Sequence, residues 1–94
     1  MKTRIALARA LKEVRGARKL TQEDFSVVSS RTYMSTLERG MKNPTIEKME
    51  AIAETMKIHP LTLLTLTYMR AGGYRNSEEL FRKIRTELDS LTRN

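Results

Sequence analysis

The sequence has no cysteine, one histidine, two prolines and an aromatic content of only 5%. Without cysteine, neither a disulfide nor a thiolate metal site can form, which fits a reducing compartment. The lone His59 stands before Pro60 at a helix start, a place for a cap or a surface residue rather than a catalyst. No nucleophile elbow, metal-ligand spacing or phosphate loop is present, so no enzyme activity, metal or cofactor is expected. The few aromatics provide no stacking platform of the kind that binds RNA bases, so an RNA-binding or coactivator role ranks low. No apolar run approaches the roughly 18 residues of a membrane span. The opening "MKTRIALARALKEVR" starts like a secretion signal, but Arg9, Lys12 and Arg15 interrupt its apolar stretch. A cytoplasmic protein is therefore expected. Sustained alternation of apolar and polar residues is also missing, so no strand is predicted.

What the sequence does have is positive charge. The 94 residues carry a net charge of +7, with 39% apolar and 31% charged residues. That is the composition of one globular domain with a modest core. The cations are concentrated at the start: Lys2, Arg4, Arg9, Lys12, Arg15, Arg18 and Lys19 face only Glu13 among the first nineteen residues. Such a surface attracts polyanions, although a solvated helix face would show the same bias.

Helical spacing recurs along the chain. Leu7, Leu11 and Val14 predict a first helix from about Thr3 to Arg18. Thr21, with Asp24 in the capping-box place, predicts a second over Gln22 to Val28 that buries Phe25 and Val28. Ser29 or Ser30 caps a third, which ends at Gly40 as a left-handed residue. Asn43-Pro44 breaks the chain and Thr45 caps a fourth helix, whose Ile46, Met49, Ile52, Ala53 and Met56 share a side. After His59-Pro60, a fifth helix carries Leu61, Leu63, Leu64, Leu66, Tyr68 and Met69, apolar on more than one side, so a partner surface is expected there. Ala71-Gly72-Gly73 reads as a linker. Ser77 then caps a last helix, with Glu78 and Glu79 in its first turn.

The third predicted helix is unusual in composition. In "SSRTYMSTLERG", Met34 and Leu37 share one face with Glu38, while Thr32, Ser35, Thr36 and Arg39 lie opposite. A thin apolar seam against hydroxyls and cations suits either plain surface or the reading of a polar partner.

"LKEVRGARKLTQEDF" followed by "SRTYMSTLERGMKNPT" resembles the phage-repressor and Cro-like helix-turn-helix family, also called XRE-type regulators. The matching positions are Leu11, Arg15, Leu20, Thr21, Gln22, the run from Ser30 to Gly40, and Asn43-Pro44-Thr45. The likeness extends over about residues 5 to 66. It implies an all-α fold: a five-helix lambda-repressor-like helix-turn-helix domain over residues 1–70. Residues 71–94 then form a linker and a C-terminal helix, the expected dimerisation element. Three departures stand out, the first being that Val28-Ser29-Ser30 replaces the glycine common in the turn before the third helix. The Gln22–Ser29 segment is two residues shorter than usual for the family. Lys19 stands where a glycine often ends the first helix, and since a left-handed non-glycine costs about 1–2 kcal/mol, that turn is expected to be built differently.

The resemblance also implies site residues. Arg31, Thr32 and Thr36 take base-reading positions; Gln22, Tyr33, Ser35, Arg39, Lys42 and Asn43 take phosphate-binding ones. Arg15 matches the family position that pairs with Glu38, so the two form an internal ion pair fixing the first helix to the third. The partner implied is double-stranded DNA. Phe81, Ile84, Leu88 and Leu91, spaced 3, 4 and 3, form a two-heptad seam for a homodimer, through the last helix, the fifth, or both. The function implied is a sequence-specific transcriptional regulator, a repressor on an inverted-repeat operator. A rival is an antitoxin-type protein whose C-terminal segment holds a toxin while the domain controls its own operon. No membrane contact and no small-molecule effector are expected.

Overall fold

The computed structural model describes residues 2–93. Five α-helices follow one another: α1 (Thr3–Ala17), α2 (Arg31–Glu38), α3 (Ile46–Thr55), α4 (Pro60–Ala71) and α5 (Ser77–Thr92), with a short 3-10 helix (Gln22–Phe25) between α1 and α2. Among the described residues there is no strand. α1 packs chiefly along α4 and also against α2, so one long helix supports both the core and the segment of interest.

The apolar spacing of each helix delivers its side chains to one cluster. Leu7, Ala10 and Leu11 of α1 meet Phe25, Met34 and Leu37, Ile52 and Met56, and Leu63 of α4, with Val14, Leu20, Val28 and Tyr33 packed around them. Full burial of each large side chain stabilises the fold by about 1.5–3 kcal/mol. Ile46, the first residue of α3, is exposed and so does not share the burial of Ile52, Ala53 and Met56 on that side.

Capping chemistry sets most helix starts. The Ser30 and Thr45 hydroxyls accept the backbone N–H of Tyr33 and Lys48 at 3.0 and 3.1 Å. Of the two serines offered for α2, Ser30 is therefore the cap. His59 caps α4, its ring Nδ1 accepting the Leu61 N–H at 2.9 Å, with Pro60 in the first turn. Asn76, rather than Ser77, caps α5: its side-chain oxygen accepts the Glu79 N–H at 3.0 Å. Asparagine is at least as good an N-cap as serine, and Ser77 becomes the first helical residue.

The predicted second helix is cut short. Asp24 accepts the Thr21 N–H at 2.7 Å and starts a turn, but only Gln22–Phe25 is helical, with i→i−3 bonding. Val28 and Ser29 both return their N–H to the Phe25 carbonyl. Only eight residues separate the Thr21 and Ser30 caps. Val27, Val28, Ser29 and Ser30 are poor helix propagators besides. One tight turn bridges that distance, and Phe25 is fully buried while Val28 is only half-buried.

Three helices end in the same motif. After α1, Lys19 and Leu20 donate to Gly16 and Arg15; after α2, Gly40 and Met41 donate to Leu37 and Thr36; after α3, Lys57 and Ile58 donate to Glu54 and Ala53. Each is a Schellman ending with a left-handed residue. That residue is glycine only in the second, at φ 73°; Lys19 and Lys57 adopt φ 58° and 60°. The turn after α1 thus keeps the left-handed geometry without glycine, since two backbone hydrogen bonds and the burial that follows hold it.

α1 and α4 are tied at their far ends by Arg70, whose Nε and Nη2 donate to the Glu13 carboxylate at 2.9 and 2.7 Å. Those bonds hold the Glu13 carboxyl below the usual carboxylate range. α5 touches the body through α4, with Leu80 buried at the junction. Its seam residues Phe81, Ile84, Leu88 and Leu91 are exposed, as are Leu61 and Tyr68 of α4. No helix among the described residues is long and apolar enough to cross a membrane.

Candidate nucleic-acid interface

α2 is seated by three buried side chains. Met34 and Leu37 enter the core, and Glu38 lies beside them at 4% exposure. A carboxylate buried so deeply needs partners. Arg15 provides a bidentate grip, Nε to Oε2 at 2.6 Å and Nη2 to Oε1 at 2.8 Å, while its Nη1 donates to the Leu20 carbonyl at 2.9 Å. The Glu38 hydrogen bonds raise the Arg15 pKa against the opposing effect of burial. Gln22 Nε2 adds a third donor to Glu38 at 3.2 Å. One carboxylate thus joins α1, the 3-10 turn and α2. Among the described residues no buried side-chain polar atom lacks a partner.

With that face fixed, the opposite face points away from the core. Arg31 and Thr32 are exposed; Ser35 and Thr36 are half-exposed. The Thr36 hydroxyl donates to the Thr32 carbonyl at 2.8 Å. Its proton is therefore occupied, and what it offers outward is a methyl group and an acceptor lone pair. Arg31 Nη1 donates to Glu23 Oε1 at 3.2 Å. Arg39, Lys42 and Asn43 are exposed on the loop after α2.

Two of the expected phosphate-binding residues have internal contacts. Gln22 is half-buried and turned to Glu38, leaving its second amide hydrogen for any outside group. Beside it stand the carboxylates of Glu23 and Asp24. Tyr33 packs against the core edge, and its ring lies under two ammonium groups, Lys42 at 5.3 Å and Lys48 at 5.1 Å from the centroid. Both are within cation–π range.

Lys48 is a residue that sequence reasoning missed. Its ammonium also donates to the Val28 carbonyl at 2.7 Å, so it clasps the short turn from the side of α3. Its place three residues after the Thr45 cap signals only a first-turn position. Glu23 carries no sequence signal either, because nothing in the spacing tells that an eight-residue offset brings it to Arg31.

A short helix locked by its inner face, preceded by a tight turn and bearing a polar, cation-flanked outer face, defines the helix-turn-helix class of DNA-binding domain. Residues 11–63, more than half of the chain, match the helix-turn-helix family, and the chain belongs to it. It is accordingly a DNA-binding protein of the transcription-regulator type, with double-stranded DNA as its partner. Among solved structures, the chain is similar to the restriction-modification controller protein C.Esp1396I, which was crystallised as a tetramer with its natural 35-base-pair operator. The TM-score is 0.66 at 24% identity, over 74% of this chain and 95% of that one, a likeness of fold. No curated protein matches the chain significantly.

Proposed function

We propose that this protein is a cytoplasmic, sequence-specific transcriptional repressor that binds an inverted-repeat operator as a homodimer. One observation carries the reading: Met34, Leu37 and Glu38 fasten α2 from within, so its Arg31–Thr32–Thr36 side faces outward as a rigid unit. Such a helix enters the major groove with its N-terminal part nearest the bases. Arg31 bonds guanine O6 and N7, and the Thr36 methyl contacts a thymine. Thr32 lies between them. Gln22, Tyr33, Ser35, Arg39, Lys42 and Asn43 flank that face and bind phosphates, fixing register rather than sequence. Catalysis has no part in this reading.

Residues 1–70 form the reading unit and residues 71–94 the pairing unit. One α2 spans only a few base pairs, so two copies related by a twofold axis read half-sites about one helical turn apart. The similar controller protein binds its own operator as a tetramer, which supports an assembly of paired reading heads. The uncovered seam of α5, with Leu61 and Tyr68 on α4, supplies the surface for pairing. The same seam would also serve an antitoxin holding a toxin, and co-purification of a bound partner in place of a homodimer would favour that role.

Selection of bound sequences from a random duplex pool tests the reading. It is expected to return an inverted repeat, with affinity falling steeply as salt rises. Thr36→Val keeps the methyl and loses the oxygen; Thr36→Ala loses both. Thr36→Ala is expected to relax preference at one position of each half-site by about 1–3 kcal/mol. Gln22→Ala is expected to weaken all sequences alike. Unchanged preference in Thr36→Ala would place the reading face elsewhere.

A further inference from the structure

Glu23 stands where a DNA-binding surface has least use for a carboxylate. Its Oε1 accepts from Arg31 Nη1 at 3.2 Å, and the two side chains are 72% and 74% exposed. An ion pair so exposed adds little to folding stability. Yet both backbones that carry it are well fixed. Glu23 lies in the turn anchored by buried Phe25 and by the Asp24–Thr21 bonds. Arg31 opens α2 directly after the Ser30 cap. The pair bridges the helix-turn-helix from one element to the other, along a cleft of about 460 Å³ lined by Arg15, Thr21, Gln22, Glu23 and Arg31.

We propose that Glu23 is a specificity-determining positioning residue: it holds one edge of the Arg31 guanidinium and so aims the opposite edge at a guanine. This rests on the reading that Arg31 contacts a base. An arginine side chain samples many rotamers, and a free one would follow the nearest phosphate as readily as a base. Anchoring Nη1 leaves Nη2 and Nε, which have no other partner among the described residues, as a paired donor set matching guanine O6 and N7. The carboxylate also acts on wrong sites. Its charge opposes the phosphates on DNA of any sequence and repels the O6 or O4 acceptor of a misplaced base, whereas the cytosine opposite the guanine presents an N4 donor. Glu23 therefore lowers general affinity and raises discrimination at one base pair.

The test uses the full-length chain. Sequences selected by wild type, Arg31→Ala, Glu23→Gln and Glu23→Asp are compared. Affinities at one fixed salt concentration are then measured for the preferred site, the same site with guanine replaced by adenine, and random duplex. Arg31→Ala is expected to abolish the guanine preference at one position per half-site. Glu23→Gln is expected to cut the guanine-to-adenine ratio at that same position by about tenfold while tightening binding to random duplex. Glu23→Asp, charged but one methylene shorter, is expected to keep random binding weak without restoring the ratio. Thermal unfolding of all three variants is expected to match wild type. If Arg31→Ala changes the preference and Glu23→Gln does not, the proposal falls and the role of Arg31 stands. If Arg31→Ala leaves the preference intact, the base-reading assignment falls and the proposal with it. A Glu23→Gln protein weakened on every sequence equally would make Glu23 a structural residue and overturn the proposal.

Discussion

At the residue scale, the most consequential side chain of α2 is a buried carboxylate. Glu38 is buried on the inner face of α2 and gathers Arg15 and Gln22 around it. Burying a carboxylate is unfavourable by several kcal/mol, and its partners offset that only while all are in place. Glu38→Ala strands the Arg15 guanidinium, which is 22% exposed, and frees the Gln22 amide. Urea denaturation is expected to show a loss of about 3 kcal/mol, with Arg15→Ala losing as much and the double variant less than their sum. Full additivity would mean that the two charges do not act as a unit. The pairing was legible from the sequence only through the family resemblance. The helical wheel put Glu38 on the buried side, but no local rule names a partner 23 residues away. Lys48 and Glu23 show the same limit: their contacts depend on how the turn folds, which side-chain spacing along one helix does not encode.

At the element scale, local chemistry was readable wherever a cap or a break dictates it. Ser30, Thr45 and Pro60 mark the starts of α2, α3 and α4 because hydroxyl caps and a first-turn proline act within three residues. The length of the turn before α2 is not legible locally, because a capping box starts helices and 3-10 turns alike. What decides between them is the distance to the next cap. The lysine endings make a separate point. Lys19 and Lys57 hold left-handed backbone that glycine would adopt freely. Both are exposed, so little packing is at stake. Substitution removes roughly 1–2 kcal/mol of strain, against about 0.4–1 kcal/mol of extra unfolded-chain entropy. Lys19→Gly and Lys57→Gly are each expected to raise stability by about 0.5–1 kcal/mol. Calorimetry should then show a Tm higher by roughly 2–8 °C for each. A lowered Tm would mean that the lysine side chains contribute more than the backbone strain removes. Lys19→Gly also removes one positive charge, so its salt-dependent affinity separates charge from stability.

At the scale of the whole molecule, the proposed reading and pairing roles fall on two different surfaces. The outer face of α2 is exposed with its flanking cations, and α5, packed on α4 through Leu80, leaves its apolar seam uncovered. The molecule measures 45 × 27 × 22 Å, elongated for its size. Phe81, Ile84, Leu88 and Leu91 leave an exposed apolar row along α5, the kind of patch that marks an interaction surface. Two heptads are too short to hold a pair firmly by themselves, so Leu61 and Tyr68 of α4 are expected to join the contact. An assembly held in this way is expected to be concentration-dependent and sensitive to one charge in the seam. Leu88→Glu introduces two facing carboxylates into the paired seam. Because Leu88 contacts solvent in the single chain, the folded monomer has no reason to be disturbed. Sedimentation equilibrium is expected to show monomer for the variant and dimer for wild type, with matching Tm values at low concentration. Binding to a single half-site is expected to persist, while affinity for the full inverted repeat drops to that of one half-site, because linked binding is lost. A Leu88→Glu protein that remains dimeric would move the interface to α4. One that is monomeric yet binds the full operator as tightly as wild type would remove pairing from the mechanism of recognition altogether.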